Sequence, residues 1–72
     1  MSQAEYLRRL RQYRRVDQLL TRKYGLTFDE FIARRLVQQA GYTWDVEKDA
    51  MDWETSVDGI KTIEKLLRQQ DL

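Results

Sequence analysis

The sequence predicts an all-α domain of three helices: a helical hairpin, a short extended link and a third helix. Three observations carry that prediction. Apolar residues recur at helical spacing through most of the 72 residues, two S/T-x-x-E boxes mark helix starts, and proline is absent. The only strong punctuation is three glycines, of which Gly25 and Gly41 divide the chain into three segments. Residues 1–72 are read as a single domain, close to the size at which one core barely offsets chain entropy.

The first helix is predicted over residues 3–24. Ser2-Gln3-Ala4-Glu5 is a capping box in which the serine hydroxyl and the glutamate answer orphan backbone donors, and Gly25 suits the left-handed residue that ends a helix. Tyr6, Leu10, Tyr13, Leu20 and Tyr24 fall within an arc of about 80°, a narrow seam with heptad spacing. Arg8, Arg11, Arg14, Arg15 and Arg22 lie on the far side within about 120°. Asp17 interrupts the seam. An ionised carboxylate there needs a partner or water, so it is expected either to pair with Arg14 or a base of another helix, or to set the register of a helix dimer.

The second helix is predicted from the cap at Thr27 to Gly41. Thr27-Phe28-Asp29-Glu30 repeats the box, and Leu26 with Phe31 occupies the two positions of a hydrophobic staple. The linker from Tyr24 to Thr27 is short enough for an αα-hairpin that folds Phe28, Phe31, Ile32 and Leu36 toward the first helix.

The stretch GYTWDVEKDAMDWE, residues 41–54, holds both tryptophans amid carboxylates. Tyr42, Trp44 and Val46 alternate with polar residues, which predicts an extended link. Val46, Ala50, Trp53, Val57, Ile60 and Leu67 then recur at helical spacing, which predicts a third helix over about 47–69 with its acidic first turn at the favourable end of the dipole. Trp53 is assigned to the core. Trp44 is either a packing residue or a binding anchor. Met51 projects away from the stripe beside Glu47, Glu54 and Asp58, a soft apolar knob with an acidic rim. Gly59 within the helix implies a kink or a close helix approach.

Charge separates along the chain. Residues 1–24 carry seven bases against two acids, and the remainder carries six against ten, although the net charge is only +1. The chain contains neither histidine nor cysteine, so thiol nucleophiles, the common acid–base switch and Cys/His zinc sites are excluded. Asp45-x-Glu47-x-Asp49 lacks the glycine and the final glutamate of a calcium loop, and Asp49 with Asp52 is accounted for by a solvated acidic face. No enzymatic activity, cofactor or metal is expected. The start carries no signal-peptide core and no run is long and apolar enough to span a bilayer, which makes a cytoplasmic protein the expectation.

Lys23, Tyr24, Gly25, Thr27, Asp29, Glu30 and Phe31, followed by the GYTW-VE-D-M-WE pattern and Gly59-Ile60, resemble a group of short, mostly uncharacterised prokaryotic proteins. Some of these are antitoxin-like partners in type II toxin–antitoxin pairs. The resemblance implies a small protein that neutralises a basic toxin by covering its active surface and that binds operator DNA, although no DNA-binding fold is legible here. The expected function is therefore a protein–protein interaction module, with Trp44, Glu47, Met51, Asp52, Glu54 and Asp58 facing a basic protein partner. A homodimer is expected to cover the remainder of the first helix's seam. The alternative is a nucleic-acid-binding module using Arg8, Arg11, Arg15 and Arg22.

Overall fold

The computed structural model describes residues 2–70, in which every regular element is a helix. The order is α1 (Gln3–Tyr24), α2 (Phe28–Ala33), α3 (Leu36–Gln39) and α4 (Trp44–Gln70). Both predicted ends of α1 are present, the N-terminal one as half of its box: the Ser2 hydroxyl accepts from the Glu5 N–H, and Gly25 sits at φ 67 with its N–H on the Thr21 carbonyl. The Thr27–Glu30 box is also complete, with each residue's side chain answering the other's backbone N–H.

α1 and α4 run antiparallel, as shown by cross-contacts whose indices rise on one helix while falling on the other. Arg14 pairs with Glu64 at 3.1 Å, Asp17 accepts from Trp53 at 2.8 Å, and Lys23 pairs with Asp49 at 2.6 Å. The result is a rod of 46 × 18 × 17 Å, consistent with a 27-residue helix that sets its length. The heptad seam of α1 thus meets the apolar stripe of α4 within one chain.

The core is concentrated at one end of this rod. Leu20, Phe31 and Trp53 are buried, and Val16, Tyr24, Phe28, Leu36, Val37, Val46, Ala50 and Val57 close around them. Trp53 and Phe31 are fully inaccessible to solvent. The Trp53 ring stacks on Tyr24 at a centroid distance of 5.8 Å and lies 5.5 Å from Phe28 and 5.1 Å from Phe31. Asp17 is answered by the Trp53 indole N–H, not by Arg14, so the polar residue of the α1 seam fixes register inside the chain.

Two expectations about the middle of the chain are corrected. The second helix does not run unbroken to Gly41: it stops at Ala33, and Arg35 takes the left-handed conformation with φ 56 before α3 begins. On a continuous helix Val37 would point about 180° away from Phe28. The break turns α3 so that Leu36 and Val37 both reach the core, while Ile32, expected to fold inward, remains 53% exposed. The Gln39 side chain donates to the Arg34 carbonyl at 2.8 Å, answering a backbone group freed by the break.

The extended link is the second correction. α4 already begins at Trp44, with the Thr43 carbonyl accepting the Glu47 N–H at 3.0 Å. The reversal needs only Gly41 and Tyr42, both left-handed, at φ 71 and 59.

Gly59 marks a close helix approach. A Cβ built there would lie 2.6 Å from Tyr13 Cδ2 and 2.8 Å from its Cζ. Replacing a helical glycine by alanine ordinarily stabilises by about 1 kcal/mol. Gly59→Ala should instead destabilise by about 1–3 kcal/mol in urea unfolding, because the Tyr13 ring must move. In a Tyr13→Leu background the same substitution should become stabilising.

Candidate interaction surface

Helix α4 has one buried side and one free side. Trp44, Met51 and Asp58 are each seven residues apart and therefore share a line along the free side, with Glu47 and Glu54 together on one side of it inside an arc of about 80° and Lys48 on the other. Trp44 is 64% and Met51 59% exposed. Among the described residues none of Glu47, Glu54 and Asp58 takes part in an ion pair. Trp44 is held on this surface by the helix start and is not part of the Trp53 cluster.

Asp52 stands apart from this group. It lies about 100° round the helix from Met51 and borders a cleft of about 370 Å³ between α4 and α1, lined also by Tyr13, Val16, Leu19 and Ser56. Six residues grouped together from sequence thus divide into five on the free side and one beside the helix–helix cleft. Tyr42, absent from that group, is 60% exposed just before Trp44 and adds a second aromatic ring at the same end. The consecutive Gly41-Tyr42 pair was its only sequence signal.

The opposite outer face belongs to α1. Arg8, Arg11, Arg15 and Arg22 are all exposed, share an arc of about 60°, and make no ion pair among the described residues. Arg14 and Lys23, at the margins of that face, are the α1 bases that reach across to α4.

A charged latch connects the two helices near the core. Asp49 accepts from both Lys23 Nζ and the Tyr24 hydroxyl at 2.6 Å. Burial opposes ionisation of Asp49, but the hydrogen bonds from Lys23 and Tyr24 and the charges of Lys23 and Lys48 together outweigh it, so its carboxyl sits below the usual value. Burial and the Asp49 carboxylate push the Tyr24 phenol up to about 12. The carboxylate most perturbed by its surroundings is therefore committed to a structural contact. Among the described residues no group of three or more acidic side chains is placed to hold a metal ion, and no helix is long and apolar enough to cross a membrane.

No protein-family model, curated protein or solved structure matches this chain.

The latch predicts opposite pH dependences for its members. Stability contributed by neutral Tyr24 is fully present below pH 10.0 and is lost as pH rises toward about 12. Stability contributed by ionised Asp49 is present above the ordinary carboxylate range and is lost as pH falls through its lowered value. Thermal unfolding of Tyr24→Phe should show a smaller loss of Tm above about pH 10 than the parent protein, while Asp49→Asn should flatten the acid limb.

Proposed function

We propose that this protein is a non-enzymatic interaction module that docks the outer face of α4 onto a basic surface of another protein, in the manner of an antitoxin-like partner. The observation that carries this reading is the pairing of Trp44 and Met51 on one exposed line, two helical turns apart, beside carboxylates that form no ion pair among the described residues. Large apolar side chains with carboxylates along one edge, and Lys48 alone on the other, make a surface of stated preference. The apolar groups favour burial, and the rim selects a cationic partner while repelling an acidic one.

The reading assigns no chemistry to the chain. It assigns Trp44 and Met51 as anchors, Glu47, Glu54 and Asp58 as the selective rim, and Trp53 as the residue that holds α4 in place. Asp52 contributes at most from the cleft side. A cytoplasmic location is part of the same proposal, since a toxin neutralised in this way acts in that compartment.

The test is co-purification from the native host and identification of the bound protein. A partner that is basic, and toxic when expressed without this chain, is the expected outcome. Trp44→Ala with Met51→Ala should weaken its capture by about 30-fold or more, as hot-spot truncations of about 2 kcal/mol do, while changing stability by less than about 1 kcal/mol because both side chains are exposed. Unchanged capture by that variant would remove the reading.

A second reading follows from the four arginines of α1 that make no ion pair among the described residues and suit a phosphate backbone. Salt-dependent retention of duplex DNA that Arg8→Gln, Arg11→Gln, Arg15→Gln and Arg22→Gln together abolish, with partner capture intact, would favour it.

A further inference from the structure

The acidic and basic outer faces lie on opposite sides of the rod, because α1 and α4 bury the sides they turn toward each other. Leu10 and Leu20 on α1, and Trp53 and Ile63 on α4, occupy that interface. Arg11, Arg15 and Arg22 therefore cannot reach Glu47, Glu54 and Asp58 within one chain. They can do so between two.

The spacings of the two faces agree. Along α4 the acids stand at 47, 54 and 58, separated by seven and four residues; read backwards along α1 the arginines stand at 22, 15 and 11, again separated by seven and four. We infer that a second copy of this chain occupies the outer face of α4 with the arginine stripe of its α1, antiparallel, pairing Glu47 with Arg22, Glu54 with Arg15 and Asp58 with Arg11. Five of these six side chains are exposed, Glu47 is half-buried, and none takes part in an ion pair among the described residues. A parallel arrangement fails, because pairing Glu47 with Arg8 and Glu54 with Arg15 puts Asp58 opposite Leu19.

The same register accounts for the apolar residues. Met51 falls at Gln18, beside Leu19, which is 65% exposed on α1. Trp44 falls at Gly25, where α1 ends and nothing lies within 4 Å of a built Cβ, leaving room for the indole. Arg8 falls at Lys61 and is the one arginine of the stripe that the contact disfavours.

Such a contact joins two different faces, so each copy keeps one face free and association is open-ended, unlike a closed symmetric dimer. Its ion pairs are exposed and individually weak, so it is lost as salt screens them. The inference rests on the α4 face proposed above as a docking surface. It adds that a second copy and a basic partner compete for it.

Sedimentation of the full chain at about 0.02 M and about 0.5 M salt tests this. The expected result is a weight-average mass that rises with protein concentration at low salt and returns to monomer at high salt. Arg15→Glu with Arg22→Glu, and separately Glu47→Lys with Glu54→Lys, should each weaken self-association by at least about tenfold. Mixing the two variants should restore association, because each retains the face the other lacks. Arg8→Glu should strengthen it by meeting Lys61. Circular dichroism checks that every variant keeps its helices. A wild-type chain that stays monomeric at low salt, self-association that either double variant leaves unchanged, or a mixture that fails to associate overturns the inference. None of these results touches the partner reading, which stands or falls on capture by the Trp44→Ala/Met51→Ala variant.

Discussion

The rest of the molecule depends on the enclosure of Trp53. Its ring is sealed by Tyr24, Phe28 and Phe31, while its single N–H, which burial would otherwise leave unanswered, donates to Asp17 at 2.8 Å. That bond can form at one register of α1 on α4 only. The aromatic cluster supplies apolar burial and the hydrogen bond supplies alignment. No buried side-chain nitrogen or oxygen among the described residues lacks a partner, so the polar content of the core fixes position without an unanswered group.

Once the register is fixed, the remaining features follow from it. Tyr13 can lie against Gly59 only because the helices approach there without an intervening Cβ. Lys23 and Tyr24 meet Asp49, one turn along α4 and about two along α1 from the Asp17–Trp53 bond, and Arg14 meets Glu64 farther along the rod. α2 and α3 cap the end that holds Trp53. The opposite half of the rod is a two-helix ribbon with little to cover its flanks, which leaves a second cleft of about 370 Å³ beside Tyr6, Tyr13 and Leu66.

The proposed docking surfaces are what this arrangement leaves outside. Two long helices that each bury one side must present the other to solvent, and in this chain one such side is acidic and aromatic while the other is arginine-rich. Neither can neutralise the other within a monomer. A protein of nearly zero net charge therefore keeps an arginine-rich stripe on α1 apart from the carboxylates on the outer side of α4, and the docking and self-contact proposals are two consequences of that one separation.

Local chemistry determined where α1 begins and ends and where α2 begins, because caps and a left-handed glycine act over three or four residues. Periodicity likewise determined that Trp53 belongs inside and that Met51 does not. The start of α4 at Trp44 was missed, because the alternation of Tyr42, Trp44 and Val46 pointed to an extended chain. No local signal marks the break at Arg35 or the choice of Trp53 as the partner of Asp17. Both were decided by the tertiary structure, because each satisfies a requirement set by residues distant in the chain: Leu36 and Val37 had to reach a core built on α1 and α4, and an indole N–H 36 positions away had to be answered.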